Sequence, residues 1–240
     1  MQPQQLGSTR TSLKADHLLQ APDSFIRAPL PGMTKAIAVI HTGLAVGARF
    51  TEYTAEMEEG GTLGHSRAQR FVYVLSGQIQ TPRGMVSAGG FEFVAQGEQN
   101  NITASETTRL VVIEKPYQPV EGATAKGFGG RIEDIPQQPL MGDKGVLVQV
   151  LFPDSSAFDF AVNVMTFQPG ASLSLVEMHI MEHGLMMLEG GGIYRLGDNW
   201  YPVMAGDFIW MAPYCPQWFG AIGKTPAKYL IYKDWNRHPL

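Results

Sequence analysis

The sequence contains a single cysteine, Cys215, so no disulfide can form within the chain. That usage suits a reducing compartment. Charge is also scarce. Asp, Glu, Lys and Arg make up 17% of 240 residues, the formal net charge is −4, and no basic cluster offers the electrostatic footprint of a nucleic-acid binder. No apolar run reaches the roughly 20 residues needed to cross a bilayer. The opening stretch, MQPQQLGSTRTSLKADHLL, lacks the apolar core of a secretory signal. These absences lead us to expect a soluble cytoplasmic protein with no nucleic-acid or membrane partner.

Turn formers and short apolar runs are plentiful. Glycine (27) and proline (16) are spread along the chain, and hydrophobic residues reach 44%, enough for a sizeable core. Runs such as FVYVLSGQIQ, RLVVIEK, GVLVQVLF, FAVNVMTF and KYLIY lie between the turns. Many short strands punctuated by Gly and Pro predict an all-β sandwich or barrel. Pro22, Pro29 and Pro31 break the first thirty residues into an extended arm.

The pattern occurs twice. Leu75-Ser76-Gly77, then Gly90-Phe91-Glu92-Phe93-Val94, then Leu110–Lys115 is matched by Leu188-Glu189-Gly190, Gly206-Asp207-Phe208-Ile209-Trp210 and Tyr229–Lys233. An internal repeat of this size predicts two copies of one β-domain. We place the first at 1–130, including the arm, and the second at 131–240. The polar, aperiodic stretch 121–145 serves as the connection.

Chemistry concentrates in Glu177-Met-His179-Ile-Met-Glu182-His183. On a strand, Glu177 and His179 share a face, and His183 has their parity. Two imidazoles and a carboxylate suit a divalent first-row metal and leave positions open. The same letters spell the helical H-x-x-E-H zinc motif. Pro169-Gly170, Gly184 and Gly190-Gly191-Gly192 argue against a helix here, and a helix would leave Glu177 without a role. Glu182 has the wrong parity and is expected to face away or to pair behind the site. Aligning Gly77 with Gly190 sets Arg70 opposite His183 and leaves His65 as the only imidazole near the matching position. One metal per chain, in the second half, is the expectation.

With these residues in view, the chain resembles the cupins, small jelly-roll β-barrels. Pro169-Gly170, Glu177, His179, His183 and Gly190 match their first motif, with Glu177 where a histidine is usual. Gly206 opens the second motif, which reaches Gln217 eleven residues on. The resemblance sharpens to the ureidoglycine aminohydrolase family of bicupins across GGIYRLGDNWYPVMAGDFIWMAPYCPQWF and YLIYKDWNRHPL. It implies two tandem cupin domains and Mn2+, with Fe2+ or Zn2+ as alternatives, on Glu177, His179, His183 and Gln217. It implies contacts to a small-molecule substrate from Tyr194 and Lys233, and assembly as a homo-oligomer. The reaction implied is ureidoglycine plus water to ureidoglycolate and ammonia, in purine degradation. Desolvation beside a cation would lower the Lys233 pKa and suit it to proton transfer. The same ligands also describe an Fe(II) dioxygenase, and a non-enzymatic binding bicupin is a third reading. Cys215 lacks a neighbouring base, and Met178, Met181, Met186, Met187, Trp210 and Trp218 are expected in the core.

Overall fold

The computed structural model describes residues 9–237, so the first eight residues of the expected arm lie outside it. The chain is all-β. Strands joined by tight turns and three short 3₁₀ turns account for its regular structure, with no α-helix among the described residues. No helix is long and apolar enough to cross a membrane. Residues 27–131 build a ten-stranded sheet around the antiparallel strands Thr51–Thr62, Thr108–Lys115 and Gln69–Ser76. The second half builds a sheet in which Phe160–Phe167, Ala227–Asp234, His183–Glu189 and Phe208–Met211 are neighbours. A three-stranded sheet of Asn199–Met204, Gly191–Leu196 and Gln217–Ala221 faces it across the second core.

The strands read as nearly unbroken apolar runs because both their faces are buried. Period two divides them among three cores. Leu185, Met187, Phe167 and Tyr229 fill the second half, and Tyr53, Val72, Val74 and Val112 fill the first. The alternate residues Val162, Val164, Leu230 and Tyr232 turn outward and meet Phe71, Phe93, Val111 and Ile113 of the first half in a shared core. Phenylalanine dominates that seam. Phe152 stacks edge-on to Phe93, Phe128 and Phe158 at centroid distances of 5.2, 5.0 and 5.4 Å, geometries that add to the area buried.

Backbone hydrogen bonds bring out the repeat and correct its register. Ala88 donates to the Gly77 carbonyl (3.1 Å) and Gly89 to Val74 (2.9 Å), as Ala205 does to Gly190 (2.9 Å) and Gly206 to Met187 (2.8 Å). Gly77, Gly89, Gly190 and Gly206 all hold positive φ. The counterpart of Gly206 is therefore Gly89, one residue before the Gly90 that letter-matching selects. A Cβ on Gly190 would lie 2.4 Å from the Pro226 carbonyl oxygen, so only glycine fits that turn.

The arm departs from the expected division at residue 130. His17–Gln20 pairs antiparallel with Phe208–Met211, matching His17 to Met211, and so extends the sheet of the second half. Arg10 clamps Asp207 with bonds of 2.5 and 2.7 Å. The physical reason is an open edge: Phe208–Met211 has His183–Glu189 on one side only, and the arm satisfies the other.

One buried cation ties the halves together. Lys115, 2% exposed, ends the last long strand of the first half. Its ammonium donates to the Asp159 carbonyl (2.8 Å) and to Asp234 Oδ1 (3.1 Å), and lies 3.3 Å from Asp159 Oδ2. Lys115→Met leaves two buried carboxylates without their cation and should cost about 3–5 kcal/mol of stability. Urea unfolding of Lys115→Met and of Lys115→Met/Asp234→Asn checks this, the double variant recovering part of the loss.

Candidate active site

The site gathers where an irregular run is pinned onto a strand. Residues 171–182 form neither helix nor regular strand. Instead, Glu177 N–H donates to the Gln217 carbonyl (2.8 Å) and Gln217 N–H to Glu177 (2.9 Å), while Leu173 donates to Phe219 (2.9 Å). Tyr214 N–H closes the turn onto the His179 carbonyl (2.6 Å). The expected strand alternation between Glu177 and His179 is thus replaced by one bridge and a bend. The two side chains still converge: His179 Nε2 lies 3.1 Å from Glu177 Oε2. His183 opens the next strand, and its ring stands at 81° to that of His179 with centroids 5.3 Å apart.

Glu177 and His179 are half-buried at the rim, while His183 and Gln217 are each 4% exposed. His183 Nδ1 sits 3.2 Å from the Tyr232 carbonyl. A carbonyl only accepts, so Nδ1 carries the proton and Nε2 presents a lone pair. That Nε2 is buried and has no hydrogen-bond partner among the described residues. Burial pushes the His183 pKa down to about 3, helped by His179 and Lys233, so the imidazole is neutral and ready to ligate. Tyr194, 1% exposed, donates to Gln217 Oε1 at 3.2 Å. A carboxylate, two imidazoles and an amide oxygen, with an orphaned buried nitrogen among them, fit a divalent metal.

Lys233 lies opposite His183 in the ladder, with Ala161 on its other side. Its ammonium sits 4.2 Å from the Trp235 ring centroid, and desolvation lowers its pKa. The first half carries Arg70 and Glu114 in the same paired register. There the guanidinium is 3% exposed and bonds Glu114 (2.7 Å) and the Gly64 carbonyl (2.8 Å). An internal ion pair occupies the place of the imidazole and the lysine, and His65 is exposed.

Other residues fall outside the cluster. Glu182 turns onto the first half, accepting from Arg49 N–H (3.0 Å) and Trp210 Nε1 (3.2 Å). Burial raises its pKa to about 7. Asp16, His17 and Cys215 bring their donor atoms within 4.8 Å of one another. Both His17 nitrogens are engaged, with Asp16 (2.8 Å) and Tyr201 (2.9 Å), and burial raises the Cys215 thiol to about 12. This group tethers the arm; the spread of Asp16 and Cys215 along the chain hid it from the sequence. Behind the site, Gly184 faces the first half, where a Cβ would meet Glu52 Oε2 at 2.5 Å and Phe50 at 2.6 Å.

A cupin-domain family model matches residues 163–232. The rice protein named probable (S)-ureidoglycine aminohydrolase is 38% identical over 98% of this chain and 78% of its own. The Arabidopsis thaliana (S)-ureidoglycine aminohydrolase is likewise 38% identical, over 98% of this chain and 80% of its own. Among solved structures, the Escherichia coli protein Ylba superposes with a TM-score of 0.85 at 27% identity, covering 97% of each chain.

The buried Glu52 makes a pH test of this region. Both its oxygens lack partners among the described residues, and burial raises its pKa to about 8. The folded chain therefore holds a proton that the unfolded chain releases near pH 4.5. The stabilisation is complete below that value and disappears as pH rises through about 8. Glu52→Gln should flatten this component. Urea midpoints of both proteins from pH 5 to 9 measure it, and parallel curves would refute the assignment.

Proposed function

The chain belongs to the (S)-ureidoglycine aminohydrolase family, enzymes that act on a C–N bond, and from that membership we propose that it converts (S)-ureidoglycine and water to (S)-ureidoglycolate and ammonia. Glu177, His179, His183 and Gln217 hold the divalent metal in this reading. The observation that carries it is the neutral, unpartnered Nε2 of His183 beside a carboxylate, a second imidazole and an amide oxygen. Two oxygen donors make the set harder than one of histidines alone, which favours Mn(II) or Fe(II).

The substrate bears a carboxylate, an amine and a ureido group on one carbon. When bound, the metal supplies a Lewis acid and a template for that carbon's substituents. The chain's own residues do the rest. Tyr232 fixes the His183 tautomer through its carbonyl. Tyr194 acts through Gln217, holding the amide oxygen in place. Lys233, with its pKa lowered by burial, handles the proton. It protonates the amine as the C–N bond breaks and ammonia leaves. A water oxygen then bonds to the carbon, and the proton that water loses returns to Lys233.

Ammonia release from freshly generated ureidoglycine, assayed without oxygen and with or without manganese, tests the reaction. Oxygen uptake with iron would point instead to dioxygenase chemistry. For the ligands, His179→Ala and His183→Ala should lose metal and activity while remaining folded, and Gln217→Ala should retain more metal because a neutral amide binds less strongly. Metal analysis of the purified variants decides; parental content in all three would mean the site lies elsewhere.

Lys233 separates chemistry from anchoring. Lys233→Met keeps the apolar stem and removes the proton. It should leave the metal in place and lower kcat by roughly a hundredfold or more. A loss confined to KM would make the lysine an anchor for the substrate carboxylate, and unchanged kinetics would remove it from the mechanism.

A further inference from the structure

Asn163 is an anomaly in the wall of the second barrel. It lies in Phe160–Phe167, where alternation sends Met165 and Phe167 into the second core, and Val162 and Val164 into the seam between the halves. By parity Asn163 points inward with Met165. It is 7% exposed, and its Oδ1 is buried with no hydrogen-bond partner among the described residues. A strand so placed would ordinarily carry an apolar residue, since an unpaired buried carbonyl oxygen destabilises the fold.

The ladder places that oxygen beside the active site. Asn163 pairs with Ile231, and Ile231 with Leu185. The next row of the same parity on these strands is Ala161, Lys233 and His183. Lys233 is thus a diagonal neighbour of Asn163, about 7–8 Å away along the sheet. Val150, the partner of Asn163 on the outer strand, is 48% exposed, so the wall opens beside it.

We propose that Asn163 is a specificity-determining residue whose carboxamide oxygen accepts a hydrogen bond from the N–H groups of the substrate's ureido arm. The inference rests on the proposed reaction and deepens it. With the carboxylate and amine held at the His183 and Lys233 row, the third substituent of the reacting carbon extends along the wall to the next row, where Asn163 is the inward polar group. The vacant acceptor selects against a substrate that lacks the N–H, because such a substrate would leave it unpaired.

Asn163→Leu keeps the branched shape of the side chain and removes the acceptor. The manganese-loaded variant should retain its metal and raise KM for ureidoglycine about tenfold or more, with kcat changed far less. Its thermal midpoint should rise by about 2–4 °C without ligand, while added ureidoglycolate, which shifts the parent midpoint upward, should shift it little. Asn163→Ala, which needs no repacking, should show the same KM change. A KM within twofold of the parent in both variants, or a lowered midpoint with unchanged KM, would overturn the assignment and leave the reaction standing. A parent protein that releases no ammonia from ureidoglycine would overturn both.

Discussion

The Lys115 ammonium sits between Asp159 and Asp234, and that geometry sets how the two halves meet. A cation so deep in the molecule is tolerated only with its counter-charges in place. Both come from the second half, and both carry further bonds. Asp159 accepts from Gln69 Nε2 (2.5 Å) and Gln118 N–H (3.1 Å) of the first half and its connection. Asp234 accepts from the Tyr232 hydroxyl (2.9 Å). The final strand is thereby held at the residues that flank Lys233. Since the Tyr232 carbonyl also fixes His183, the tautomer of a proposed metal ligand is tied, within a few bonds, to the charge that joins the halves. The seam and the candidate site thus share the bonded residues at the end of one strand.

The two halves solve one structural problem with opposite chemistry. In the first, Arg70 and Glu114 neutralise each other and leave nothing to bind. In the second, His183 and Lys233 occupy the same paired positions. Neither can neutralise the other, and burial holds the imidazole uncharged and lowers the lysine pKa. That arrangement is poor for stability and suited to holding a cation and a carboxylate-bearing ligand. The first half keeps its barrel filled and contributes its outward faces, Phe50 and Glu52 among them, to the back of the strand that carries His183.

Much of this was legible in the letters. The glycines that close each repeat declared two copies of one β-domain, because only glycine takes the left-handed turn where a carbonyl packs against it. Parity put His183 inside the barrel correctly. It misdescribed Glu177 and His179, which converge through a cross-chain bridge to Gln217 and a bend. Alternation cannot report that geometry, which depends on a partner forty residues away. The one-residue slip between Gly89 and Gly90 has a similar cause: two adjacent glycines look alike in the sequence, and only the hydrogen bond to Val74 separates them. The arm's place at the edge beside Trp210 was also hidden, since short strands with few apolar residues carry little register of their own.

Among the buried polar groups without hydrogen-bond partners in the described residues, Glu52, His183 and Asn163 differ in their surroundings, and the difference bears on what each is for. Glu52 faces Gly184 from the first half, as does Phe50, and burial alone raises its pKa to about 8. It serves packing between the halves. His183 and Asn163 instead lie on successive inward rows of His183–Glu189 and Phe160–Phe167, the strands on either side of Ala227–Asp234, near Leu185, Ile231 and Met165. An apolar side chain at 163 would bury comparable area with no loss of hydrogen bonding, whereas His183 also bonds the Tyr232 carbonyl through Nδ1, so at 183 only the free Nε2 goes unused by the fold. One offers a lone pair suited to a metal, the other an acceptor suited to an N–H donor. Stability forgone at buried positions of this kind is what selection for binding, rather than for folding, would leave behind.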